Sequence, residues 1–242
     1  MLLDDLTAVI AVKNRNVNIA YCIASIAQRT DFPKCIVVDF GSEPPLHWDN
    51  APWLKVIRVT NSTLTFHKSR ALNIGLRSVT TKFVLFTDAD QIFAPNFFTD
   101  VHELLSSNPN LLVKCYTNFL AAVPPNVLPS SVMSYYDSLL TAAKKNSKFL
   151  GEGCCFGCTV ENVLRINGFD ERYINWGYED CDFAHRMELI GCKRKFIHDK
   201  TTMVHLPHQE NWSGHVANHD LYRECQAIGK TVANENIEWG KP

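Results

Sequence analysis

Two stretches of this 242-residue chain carry side chains that could do chemistry. The first is "FTDAD", which places Asp88 and Asp90 one residue apart directly after the apolar run "KFVLF". Two acids at a buried strand end need a partner, because unpaired charge is costly to bury. A divalent cation is a natural one, since Mg²⁺ and Mn²⁺ favour oxygen ligands and keep substrate phosphates in their shell. A bare DxD is also common as a solvated turn, and the strand before it is what favours the metal. A third ligand would come from "MVHLPHQ". There His205 ends an apolar run, with His208 as the fallback three residues on. Imidazole suits a site for Mn²⁺.

The second stretch is "NGFDERYINWGYEDCDFAHR", residues 167–186. Glu179, Asp180 and Asp182 gather beside Trp176 and Tyr178, with glycines at 168 and 177 that permit close approach of backbone or ligand. Phe183, Met187 and Ile190 share one helical face and Gly191 stops the run, so a helix is predicted over about 180–190. Its dipole favours the acids at its start. Asp182 and Arg186 stand at i, i+4 and can pair, which makes Asp182 the structural member. Glu179 and Asp180 then face whatever lies before the helix. Flat aromatic faces beside carboxylates suit sugars, whose ring faces stack and whose hydroxyls donate to acids. A carboxylate there could also take the proton of an attacking hydroxyl. His215 and His219, also i and i+4, read as a solvated helix face in a polar, weakly patterned tail.

The elements that must position these groups alternate. Strands are predicted at 6–12, 35–40, 55–60, 82–90 and 111–120. Helices are predicted after a cap at Asn14 or Asn16, over 69–79 (weakened by Gly75), from Pro95 through 107, and across 131–145. A shorter strand–helix set and two strands within 194–206 follow. Such alternation means an α/β fold built on a mostly parallel central sheet with helices on both faces. Ligands of such sheets bind beyond the carboxyl ends of the strands, where Asn14, Arg15, Asp39, Asp88 and Asp90 fall. "VPPNVLP" (123–129) is the expected seam between two fused halves, 1–122 and 123–242, of one domain.

Composition narrows the classes. Hydrophobic residues make up 46%, enough for a sizeable core, and the net charge of −1 argues against nucleic acid held by bulk charge. No apolar run approaches a membrane span, and the acidic start "MLLDD" does not read as a signal peptide. The nine cysteines are therefore expected to be reduced, in a cytoplasmic protein. "CCFGC" (154–158) holds a CxxC without a second pair at matching spacing, so buried thiols are favoured over zinc.

The order "AVKNR", "VVDFGSEPP", "SRALNIGL", "FTDAD", "NGFDERYINWGYEDCDFAHR" and "HLPH" resembles the GT-A (Rossmann-like) glycosyltransferases that use nucleotide sugars. The second half is similar to the region shared by β-1,4-galactosyltransferases and bacterial chondroitin-polymerase-type enzymes. The resemblance implies a metal-dependent inverting transferase that moves a sugar from a UDP-sugar to a hydroxyl of a glycan or glycoconjugate. Asp88 and Asp90 would hold Mn²⁺ (or Mg²⁺) on the donor diphosphate, and a late histidine, His205 or else His208, would complete the shell. Asn14, Arg15, Asp39, Arg70 and Asp88 would surround the nucleotide, with Gly153 beside the donor sugar in the loop at 151–155. Glu179, Trp176 and Tyr178 would bind the acceptor, and Asp180 would be the base. A lipid-linked acceptor would be met peripherally, at the cytosolic membrane face.

One departure matters: many relatives read "VVDDGS", whereas Phe40 stands here in place of an acid. Two alternatives stay open. One is a retaining transferase on the same fold, although relatives of that kind carry "WGGEN" where this chain has "WGYED". The other is a non-catalytic sugar or nucleotide-sugar binding module, which would need no base.

Overall fold

The computed structural model describes residues 2–48, 51–60, 65–146, 155–197, 201–209 and 213–242. Strand β1 (Leu2–Val12) leads into helix α1 (Asn16–Ala27), then β2 (Phe32–Asp39), β3 (Leu54–Arg58), α2 (Lys68–Leu76) and β4 (Phe83–Asp88). A short β5 (Gln91–Phe93) precedes α3 (Phe97–Ser107), β6 (Leu111–Lys114) and β7 (Thr117–Phe119). A 3-10 turn at Pro129–Tyr135 runs into α4 (Tyr136–Asn146). Then come β8 (Phe156–Thr159), α5 (Val160–Arg165), α6 (Glu179–Leu189), β9 (Lys193–Phe196), β10 (Met203–His205) and α7 (His215–Ala227).

Seven strands form one sheet in the order β3-β2-β1-β4-β8-β6-β9. Its pairs are parallel except those made by β8, which runs against both β4 and β6. Strands from before and after residue 122 thus share one sheet. From Ala8 to Val12 the interior strand β1 is an unbroken apolar run because both its faces are covered. Ala8, Ile10 and Val12 face a core shared with α1 and α3. Val9 and Ala11 face a second core shared with α2, α5 and α6.

On that second side Phe169 and Phe183 stack with centroids 4.2 Å apart, and Phe86 and Phe156 meet them edge-on. This aromatic cluster seats the start of α6. Gly75, expected to weaken α2, is what lets α2 approach the sheet. A Cβ there would stand 2.4 Å from Val9 Cγ1.

Three expectations change. The run 111–120 is two strands in different sheets, because β6 pairs with β9 in the large sheet and β7 with β10 in a small one. Neither Asn14 nor Asn16 caps α1. The cap position is Arg15, with no side-chain cap bond, while the Asn14 side chain accepts from the Glu43 amide at 2.8 Å. The tail after Glu210 contains a thirteen-residue helix, α7, that packs on α6.

Candidate active site

The three-stranded sheet β5-β10-β7 explains how distant residues meet. β10 runs antiparallel to β5 with His205 opposite Gln91, and the Leu206 amide donates to the Asp90 carbonyl at 2.8 Å. That register lays 205–208 against Asp90. His205 Nε2 lies 3.5 Å from Asp90 Oδ1, and His208 Nε2 lies 3.1 Å from Asp90 Oδ2. One ligand atom from each of the three falls within 4.8 Å of the others. A carboxylate with two imidazoles is a donor set that can hold a divalent cation, and both histidines, rather than one, are in reach.

Asp90 is only 6% exposed. Burial pushes its carboxyl up, but the hydrogen bond from His208 and the charges of His205 and Lys68 outweigh that and leave it below its ordinary value. The same hydrogen bond to Asp90 raises His208.

Asp88 lies outside this cluster. Its Oδ1 takes an ion pair from Lys68 Nζ at 2.7 Å, and the same ammonium reaches Glu179 Oε1 at 3.2 Å. Burial pushes both the Asp88 and Glu179 carboxyls up, and Lys68 opposes the shift without cancelling it. Sequence reasoning missed Lys68. Its signal was a cation in the first turn of a helix, where the dipole disfavours one.

Of the residues expected around a nucleotide, Arg15 touches the cluster directly. One Arg15 guanidinium nitrogen sits 3.0 Å from His208 Nδ1 and donates to the Gln209 carbonyl at 2.9 Å. Asn14, Arg15, Asn16, Glu43, Pro44 and His208 are among the residues lining an open cleft of about 430 Å³ beside it. Asp39 is fully buried, and its oxygens accept from the Ser42 and Leu46 amides and pair with Arg58. Burial raises its carboxyl, and these donors more than offset that, leaving it below the ordinary value. Phe40, the departure noted in the sequence, is buried and meets Phe66 edge-on. Arg70 turns elsewhere, donating to the Lys241 and Pro242 carbonyls. Gly153 lies outside the described residues.

The second stretch begins α6 as expected, one residue early. Asp182 and Arg186 form a buried ion pair at 2.7 Å, and Arg186 also donates to the Ile166 and Gly168 carbonyls. Tyr178 caps the helix with φ +67°, a left-handed conformation that is costly for a bulky residue. Glu179 is buried, and its Oε2 has no hydrogen-bond partner among the described residues. Asp180 is half-buried, with Oδ1 accepting from the Cys181 amide at 2.8 Å.

Trp176 is 46% exposed and lies nearly parallel to the His215 ring, 5.5 Å away and tilted 14°. Tyr178 contacts the rings of His215, His219 and Tyr222. The two histidines therefore belong to an aromatic wall beside the acid pair, not to a purely solvated face. Nothing in the local pattern signalled that wall, because it depends on where α7 docks.

No curated protein sequence matches the chain significantly. Among solved structures it is similar to GalNAc-T7 in complex with UDP, GalNAc and Mn²⁺, with a TM-score of 0.65 at 14% identity. That alignment covers 92% of this chain and 48% of the other, so the chain spans about half that protein's length. It is also similar to residues 1–349 of S. aureus TarS, with a TM-score of 0.62 at 15% identity over 97% of this chain and 67% of the other. At such identities the likeness speaks for the fold, which is GT-A. Residues 140–209 match the profile described as the N-terminal domain of galactosyltransferase. The glycosyl transferase family 2 profile matches residues 7–162, from β1 into α5, and that span of more than half the chain makes this protein a member of the family.

Proposed function

We propose that this glycosyltransferase moves a sugar from a UDP-sugar to a hydroxyl of a saccharide or glycoconjugate, with inversion at the anomeric carbon. One observation carries the reading. A cluster fit to hold a cation lies beside an acid pair flanked by flat aromatic faces, and Lys68 pairs both with Asp88, two residues before Asp90 of the cluster, and with Glu179 of the acid pair. The cluster is suited to a diphosphate leaving group and the acid pair to an acceptor hydroxyl.

In this reading Asp90, His205 and His208 hold the metal, with Mn²⁺ favoured over Mg²⁺ by the two imidazoles. When bound, that ion supplies Lewis-acid stabilisation of the charge gathering on the leaving diphosphate. Arg15 and Asn14 border the nucleotide along the 430 Å³ cleft. Asp39 contributes by ordering the turn through Ser42 and Leu46. Asp88 remains on the nucleotide side and Gly153 beside the donor sugar, whereas Arg70, turned to the Lys241 and Pro242 carbonyls, leaves the nucleotide set. Residues 1–122 supply most donor contacts and 123–242 the acceptor and catalytic groups.

Glu179 receives acceptor hydroxyls, and Trp176 and Tyr178 give the sugar ring a flat face to stack on. Asp180 accepts the proton of the attacking hydroxyl as oxygen bonds to the anomeric carbon on the face opposite the nucleotide. The bond from that carbon to the diphosphate oxygen breaks, and the electron pair leaves with UDP. No covalent enzyme intermediate is required, which agrees with the burial of every described cysteine except Cys181. Cys155 and Cys158, for example, are buried with thiols pushed well up. Free thiols throughout the described residues also fit a reducing, cytoplasmic setting. No described helix is long and apolar enough to cross a membrane.

The test is a donor panel read by nucleotide release, with and without Mn²⁺. UDP-sugars should be cleaved only with metal. Release from guanosine or cytidine diphosphate sugars alone, or full activity in excess chelator, would overturn the reading.

A further inference from the structure

Lys68 stands where elementary electrostatics disfavours it. It is the first residue of α2, at the positive end of the helix dipole, and that turn holds no acid to offset it. What compensates comes from two other elements. Asp88 from the end of β4 pairs with its ammonium at 2.7 Å, and Glu179 from the start of α6 at 3.2 Å. The lysine side chain is 17% exposed, so the junction is enclosed without being sealed. The pairing also divides Glu179 in two. Oε1 is held by Lys68, whereas Oε2 is buried with no partner among the described residues. A buried acceptor left unmatched is costly unless a ligand supplies the donor.

We propose that Lys68 is a positioning residue that couples the two substrate subsites: by fixing Asp88 and Glu179 Oε1 together, it presents Glu179 Oε2 to a hydroxyl of the acceptor. This deepens the function proposed above and rests on it. Without Lys68, the half-buried Asp88 and the buried Glu179 would lose the cation they share, and Glu179 would turn away or take up a proton. A protonated or reoriented Glu179 would no longer hold the acceptor against Asp180. The metal cluster, built from Asp90, His205 and His208, does not include Lys68 and should survive its loss.

The experiment compares wild type with Lys68→Gln, Lys68→Arg, Glu179→Gln and the double variant Lys68→Gln/Glu179→Gln. Mn²⁺ and UDP affinities are measured by calorimetry. The cleaving donor from the panel is then used to measure transfer to methyl hexosides and its hydrolysis by water. Lys68→Gln should keep Mn²⁺ affinity within about threefold, raise the acceptor KM about tenfold, and shift turnover from transfer toward hydrolysis. Lys68→Arg should restore most of the transfer. The double variant removes the stranded charge, so it should fold even if Lys68→Gln does not. It should lose transfer no further than Glu179→Gln alone, as expected for residues acting as one unit.

An unchanged acceptor KM and transfer-to-hydrolysis ratio in Lys68→Gln would overturn the inference and leave the function standing. So would independent, additive losses in the double variant. A wild-type protein that binds neither Mn²⁺ nor UDP would overturn the function and the inference with it.

Discussion

The proposed donor and acceptor sides of the site are built from different materials. On the donor side, Asp90 and the two histidines are placed by strand register and a backbone hydrogen bond from Leu206. On the acceptor side, Trp176, Tyr178, Glu179 and Asp180 sit on a left-handed cap at a helix start. They are held by side chains: the Asp182–Arg186 pair below, Lys68 in front and the rings of α7 alongside. A backbone ladder tolerates side-chain changes, whereas a scaffold of side chains does not. Damage on the donor side should therefore stay local, and damage on the acceptor side should spread.

The largest effect should be chemical and confined to one atom pair. Asp180→Asn should cut turnover by about 10²–10⁴-fold while Mn²⁺ and UDP binding persist. Proton NMR coupling of the new linkage in wild-type product should show inverted configuration. Retained configuration, or an Asp180→Asn enzyme near the wild-type rate, would remove the base from the acceptor side altogether. Next comes the spread. Asp182→Asn strands Arg186 as a buried, uncompensated charge and should destabilise the fold by about 3–5 kcal/mol, measured by urea denaturation. Asp90→Ala should instead weaken Mn²⁺ binding by more than about 100-fold, exceeding the loss from an outer-shell partner. Its melting temperature without metal should stay near that of wild type. If Asp90→Ala unfolds the protein and Asp182→Asn does not, the contrast is reversed. The smallest effect should be Trp176→Ala, which removes one stacking face. It should raise acceptor KM about tenfold, roughly 1.4 kcal/mol, and leave the KM for donor unchanged.

How much of this was legible in the sequence follows the same division. Asp88 and Asp90 after "FVLF", the acid-rich start of α6 and the Asp182–Arg186 pair are short-range patterns, and each could be read from spacing. That either late histidine was a candidate ligand was legible too. That both face Asp90 was not, because it depends on β10 pairing with β5. Lys68 was hidden because its two partners lie 20 and 111 residues further along the chain. The split at Cys115 and Tyr116 was hidden because an apolar run does not reveal which sheet each part joins. Arg70 fell at the expected helix start, but its partners, the Lys241 and Pro242 carbonyls, come from the other end of the described chain.

The small sheet also bears on how the site comes into being. β10 lies between β5 and β7, so its insertion closes a loop of roughly 110 residues back to β5. Contacts separated that far in sequence form late, since closure entropy must be met before they reward the chain. The large sheet can assemble its β1–β2–β3 edge from near neighbours, whereas the histidines reach Asp90 only when that last strand is laid in place. The metal affinity proposed for this cluster would therefore report on completed folding, and a nascent or partly unfolded chain would lack the assembled site.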